Sequence, residues 1–179
     1  MKKTVTIFGS SRPREGEPQY EEARRLGYLL AEAGFLVCNG GFAGIMEASA
    51  RGAREAGGES IGVTLNAFGG RANAYVDTEI NAGSLLARVE KLIELGDAYV
   101  VVKGGTGTLV ELAIVWEYMN KGLMPVKPFF VLGQFWEPVV TTLAEELAWE
   151  GSESASRYIT VARTPEDIVE RLRKEWNHG

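Results

Sequence analysis

Asp97-Ala-Tyr-Val-Val-Val-Lys-Gly-Gly-Thr-Gly-Thr-Leu-Val-Glu111 is the stretch whose reading decides the fold. It opens on an apolar, β-branched run, Tyr99 to Val102, too short for a helix and suited to a strand buried on both faces of a parallel sheet. The run breaks on Gly104-Gly105-Thr106-Gly107. Leu109, Leu112, Val115, Trp116 and Met119 then recur three or four apart, the spacing of a helix. At a strand-to-helix junction the first amides of the helix lack partners and its dipole favours an anion. Glycines let the main chain approach a phosphate, Thr108 adds a hydroxyl, and Glu111 shares a helix face with Thr108. A phosphate would repel that carboxylate, so Glu111 is expected to face a sugar or a base. The loop is not a P-loop, because no Gly-Lys-Ser/Thr follows. It also lacks the third glycine of a dinucleotide fingerprint, since Val110 stands there. A tight turn that binds nothing would need glycine just as much.

On either side, strands alternate with helices. Thr4–Phe8 reads as a buried strand running into Gly9-Ser10-Ser11-Arg12, a second candidate phosphate or ribose loop. Residues 13–18 read as a mobile polar loop, and a helix follows to about Ala33. The strand at residues 35–38 enters Asn39-Gly40-Gly41-Phe42-Ala43-Gly44-Ile45-Met46-Glu47, another glycine turn leading into a helix. Ala48, Ala50, Ala53 and Ala56 make that helix thin, able to pack closely. Residues 60–63 give a third strand, and residues 64–75 an irregular segment of the kind that often forms a lid. Asn81 to Leu95 reads as one helix carrying Arg88, whose plain reading is a surface arginine paired with a neighbouring acid. Strands at 128–132 and 158–161 and helices at about 135–149 and from Thr164-Pro165 complete the pattern. The whole, residues 1–179, reads as a single α/β domain with a parallel sheet covered on both faces. The glycine loops all fall at the carboxyl ends of strands, on one sheet edge.

Composition narrows the function. A net charge of −5 argues against general nucleic-acid binding, though not against a local phosphate pocket. One cysteine, Cys38, excludes an internal disulfide and fits a reducing cytoplasm. Two N-terminal lysines precede an apolar run too short for a signal peptide, and no run approaches a membrane span. No His/Cys/carboxylate set has metal-ligand spacing, and His178, the only histidine, sits in the tail. No metal and no cofactor are expected. Trp116, Tyr118 and Met119 read as core or dimer contact, with a base-stacking platform as the alternative. Glu47 reads as a supporting carboxylate or a partner for the helix dipole, and Arg12 as an exposed loop arginine or a phosphate contact.

Lys103-Gly-Gly-Thr-Gly-Thr-Leu-Val-Glu111 resembles the Pro-Gly-Gly-x-Gly-Thr-x-x-Glu signature of the LONELY GUY family, formerly labelled lysine decarboxylase-like. The likeness extends to Phe8-Gly-Ser-Ser, to residues 40–46, to residues 56–63 and to Thr164-Pro-Glu-Asp, and so spans nearly the whole chain. It implies a Rossmann-like fold, a homodimer or higher homo-oligomer, and phosphoribohydrolase activity on cytokinin-type nucleoside 5′-monophosphates. By position it makes Glu111 and Arg88 the catalytic residues. Gly104, Gly105, Thr106, Gly107 and Thr108, with Gly9, Ser10, Ser11, Gly40, Gly41, Gly44 and Met46, are the expected phosphate- or nucleotide-binding set. Two positions depart from the family: Lys103 stands for its usual proline and Val89 for the lysine after the arginine, with Lys103 a candidate replacement cation. The run Gly44 to Gly58 also resembles molybdenum-cofactor carrier proteins, which makes a non-catalytic carrier of a phosphorylated ligand the alternative. Lysine decarboxylation is excluded, because it requires a pyridoxal cofactor on a lysine and nothing in the resemblance supports such a site.

Overall fold

The most apolar runs of the chain become its most buried strands. In the computed structural model, which describes residues 2–68 and 70–177, β1 (Thr4–Phe8), β5 (Ala98–Val101) and β6 (Phe129–Leu132) are buried along their whole length. The remaining strands are β2 (Leu36–Asn39), β3 (Ser60–Leu65), β4 (Thr78–Ala82) and β7 (Ile159–Ala162). They form one seven-stranded sheet of order β4-β3-β2-β1-β5-β6-β7, parallel throughout. Side chains alternate between its faces. Val5, Ile7 and Val100 pack under α1 (Pro18–Glu32), α2 (Ile45–Glu55) and α6 (Pro165–Asn177). Phe8, Tyr99 and Val101 pack under α3 (Leu85–Leu95), α4 (Thr106–Asn120) and α5 (Glu137–Trp149). The expected α/β Rossmann-like architecture is therefore observed.

The sheet order creates the crevice. From β1 the chain winds outward to β2, β3 and β4, and from β5 it winds the other way to β6 and β7. The loops after β1 and β5 consequently diverge at the strands' carboxyl ends, where open α/β sheets place their ligands. The thin α2 allows the tight packing that its alanines predict. Gly27 of α1 lies against the Ser49 main chain, and Gly52 of α2 against the Arg24 carbonyl, so a side chain at either would collide with backbone.

Three expectations need correction. Residues 78–82 form β4, which takes in Asn81 and Ala82 from the expected helix, and α3 begins at Leu85, capped by the Ser84 hydroxyl, which accepts from the Ala87 amide at 3.1 Å. As an edge strand, β4 bonds only to β3 and is half exposed, so Thr-Glu-Ile-Asn-Ala needs no apolar run. Thr64 and Leu65 extend β3, and the segment after them is tied down rather than lid-like. Asn73 donates from its backbone and side chain to the Gly41 carbonyl and from its side chain to that of Phe42. The loop at 13–18 is likewise anchored. The Arg14 amide donates to Glu17, the Gly16 amide to Glu21, and Glu15 pairs with Arg51. His178 lies outside the described residues. Among those described, no helix is long and apolar enough to cross a membrane, no group of metal-ligating side chains is found, and Cys38 is a buried free thiol.

Candidate functional site

α4 starts without a side-chain cap: Gly105 supplies none, and the first intrahelical bond is the Leu109 amide to the Gly105 carbonyl. The amides of Thr106, Gly107 and Thr108 are the orphan donors of that helix start. They face a cleft of about 810 Å³. Its other walls come from Gly9, Ser10 and Ser11 after β1, from Phe42, Ala43 and Met46 at the start of α2, and from Arg88 and Glu111. Residues as far apart in sequence as Gly9 and Glu111 meet there because all the loops leave the same sheet edge.

Arg88 is not a surface arginine. Only 6% of it is exposed, because α3 lies on the sheet and points it inward under the glycine turn. Its Nε donates to the Val63 carbonyl at 2.7 Å, and Nη2 donates to the Gly40 carbonyl at 3.0 Å. Phe42 lies over the guanidinium, 5.5 Å from ring centre to Cζ. A side chain at position 40 would run into the guanidinium, so glycine there leaves the space that Arg88 fills. Burial pulls the Arg88 pKa below the usual guanidinium range and Glu111 opposes that pull. The group remains a cation at any ordinary pH.

Glu111 sits one turn into α4 with 12% of its side chain exposed. Its carboxylate comes within 3.8 Å of Arg88 Nη1, an electrostatic contact too long for a hydrogen bond. Burial pushes its pKa up to about 7, against the opposing pull of Arg88. A carboxylate held in a dry wall and still open to a cleft is poised to respond to a ligand's charge.

The other predicted residues divide. Gly9, Ser10, Ser11, Met46, Gly105, Thr106, Gly107 and Thr108 line the cleft with Arg88 and Glu111. Gly40, Gly41 and Gly44 do not line it; they shape its wall from behind, Gly41 accepting from Asn73 and Gly44 capping α2. Gly104 instead lines a neighbouring hollow of about 340 Å³ with Lys103 and Glu17. Lys103 therefore does not replace the missing cation, and its ammonium lies 5.4 Å from the Phe135 ring centre. Val89 is 3% exposed and belongs to the apolar core, so α3 brings one cation to the cleft rather than two. Trp116 is buried with its indole N–H on the Ala155 carbonyl, which rules it out as a platform for a base. Glu47 accepts from the Tyr20 hydroxyl at 2.9 Å and does not line the cleft. Arg14 and Phe42 are lining residues that the sequence did not single out. Their only signal was position, within or beside a glycine turn at a strand's carboxyl end.

A parallel sheet, a crevice at its switch point, an uncapped helix start and an inward-facing acid define an open α/β protein with a cleft at the carboxyl ends of its strands. The chain belongs to the SLOG cluster4 family, whose model matches residues 2–169. It is 31% identical over 176 residues to a probable cytokinin riboside 5′-monophosphate phosphoribohydrolase of Oryza sativa subsp. japonica, covering 94% of this chain and 70% of that one. It is 30% identical over 155 residues to the cytokinin riboside 5′-monophosphate phosphoribohydrolase of Rhodococcoides fascians, covering 83% and 77%. Among solved structures it is similar to the molybdenum cofactor binding protein of Rippkaea orientalis, with a TM-score of 0.76 at 25% identity, covering 98% of each chain. The resemblances read from the glycine signature and from residues 44–58 both stand.

Proposed function

We propose that the protein hydrolyses the N-glycosidic bond of a nucleoside 5′-monophosphate, releasing a free base and ribose 5-phosphate. The observation that carries this reading is the placement of Glu111, a buried carboxylate one helical turn below the free amides of Thr106 to Thr108. Those amides would anchor the 5′-phosphate, and that remote binding energy would place the sugar. Phe42 and Met46 supply an apolar wall for the base. As the C1′–N bond breaks, its electron pair leaves with the base and positive charge grows on the ribosyl ring, as in glycoside cleavage. Glu111 would stabilise that charge, hold the ribose hydroxyls and orient the water whose oxygen bonds to C1′, a water proton passing to the base. Arg88, fixed by two carbonyls, keeps Glu111 in place and favours its ionised form.

The direct comparison is wild type against Glu111→Gln with AMP and isopentenyladenosine monophosphate as substrates. Base release by wild type from at least one of them, nearly abolished in the variant, is expected. No release from either, or full activity in the variant, refutes the assignment. A second reading is favoured by the fold shared with a molybdenum cofactor binding protein: the cleft holds a phosphorylated ligand and returns it intact. Mass spectrometry of ligand retained through purification separates the two, since a carrier retains an unchanged molecule. We also propose a homodimer. Leu109 and Val110 of α4 and Leu85 and Leu86 of α3 are exposed, and light scattering giving a monomer mass would refute it.

A further inference from the structure

The loop from Ser10 to Glu17 is sorted by charge. Its acids turn away from the cleft: Glu15 pairs with Arg51 at 2.7 Å, and Glu17 accepts from the Arg14 amide at 2.7 Å. Glu21, at the start of α1, accepts from the Gly16 amide at 3.0 Å. Its arginines, Arg12 and Arg14, line the cleft beside Thr106, Gly107 and Thr108. Neither has a carboxylate partner among the described residues, although the chain carries net charge −5. Elsewhere Arg24, Arg25, Arg54, Arg157, Arg163 and Arg171 each face a carboxylate at 2.6 to 3.2 Å, while Arg71 and Arg173, also without a carboxylate partner among the described residues, lie away from the cleft. Two unmatched guanidiniums on one short loop repel each other, and a dianion between them relieves that repulsion.

Arg51 holds the loop from behind. Its side chain is largely buried, bonds Glu15 and Glu55, and lies 5.6 Å from the Tyr75 ring centre. That is a rigid post, and through Glu15 it fixes the backbone carrying Arg12 and Arg14.

We infer that Arg12 and Arg14 form a clamp for a doubly charged phosphoryl group in the cleft, with Arg51 as the positioning residue that holds the clamp in place. The clamp makes phosphate monoesters bind more tightly than the corresponding nucleosides. It shares the nucleotide cleft with the reading above but does not depend on turnover.

Calorimetric titration of the full chain with AMP, adenosine and inorganic phosphate tests it. The Arg12→Ala/Arg14→Ala variant is expected to bind AMP and inorganic phosphate about tenfold or more weakly, with adenosine changed by less than about twofold. Arg51→Ala should weaken AMP about threefold or more, with adenosine again unmoved and Arg51→Lys restoring part of the loss. Unchanged AMP affinity in the double variant, equal loss of adenosine, or a wild type that binds neither AMP nor phosphate overturns the clamp. Unchanged AMP affinity in Arg51→Ala overturns the positioning role. If wild type binds AMP through these arginines yet releases no base, the hydrolytic reading falls and the clamp stands.

Discussion

Two hollows of nearly equal size lie at opposite ends of the strands. The cleft at the carboxyl ends holds about 810 Å³, and the groove beside the starts of β6 and β7 about 780 Å³. Both are lined with cations, but the cations of the groove are already engaged. Arg157 pairs with Glu153, Arg171 with Asp167 and Lys174 with Glu170, while Lys127 donates to the Gly96 carbonyl at 2.5 Å. In the cleft, Arg12 and Arg14 have no acid among the described residues, the first amides of α4 have no side-chain cap, and burial raises the Glu111 pKa above its ordinary value. Volume therefore does not distinguish a site from a surface groove. Charged and polar groups that the fold leaves without protein partners do, because a ligand can replace the water around them.

Substitutions sharpen that contrast in decreasing order. Glu111→Gln should lower kcat by about 10²–10³ while AMP binding survives, as for loss of one charge-stabilising group. Steady-state assays and titration measure the two separately. Arg88→Met leaves the Val63 and Gly40 carbonyls without their donor and Glu111 without its cation. A destabilisation of about 3 kcal/mol is expected, read from denaturant midpoints. Phe42→Ala should weaken AMP by about 1 kcal/mol while leaving ribose 5-phosphate alone. In the groove, Arg171→Ala should cost less than about 0.5 kcal/mol, because an exposed i,i+4 pair contributes little. A large effect there, or none at Glu111, would erase the distinction between the two regions.

The displaced acid also sets a pH dependence with a definite sign. The Glu111 pKa in the fold, about 7, lies above its ordinary 4.5. The neutral form is therefore favoured in the fold: its contribution to stability is present below about pH 4.5 and is lost as pH rises through about 7. Glu111→Gln, always neutral, should melt above wild type by an amount that grows between those values and levels off beyond them. Scanning calorimetry across that range gives the curve. In the proposed reaction the ionised form acts, so kcat/KM should rise with pH through about 7.

What the sequence made legible follows from the kind of signal each element carries. β1, β5 and β6 are continuous apolar runs because both their faces are covered, and such runs are readable. β4 has one neighbour and is largely exposed, so it carries no apolar run, and its last residues, Asn81 and Ala82, read as the start of the helix that follows. Glu111 and the amides after Gly105 were legible because strand, glycine loop and helix start are adjacent in sequence. The family resemblance points to Arg88, but its burial required tertiary structure: nothing local distinguishes an arginine under Phe42 and the Gly40 carbonyl from one in solvent. The anchoring of the loop at 13–18 was hidden for the same reason, since Arg51, which pairs with Glu15, lies on a different helix.

The proposed hydrolysis requires that water meet C1′ of the bound nucleotide in the cleft. Incubating the wild-type chain with AMP in ¹⁸O-enriched water and weighing the products tests it most directly. One heavy oxygen on ribose 5-phosphate, none on the released adenine and almost no product from Glu111→Gln is the predicted result. AMP recovered unlabelled and unchanged after binding would contradict it.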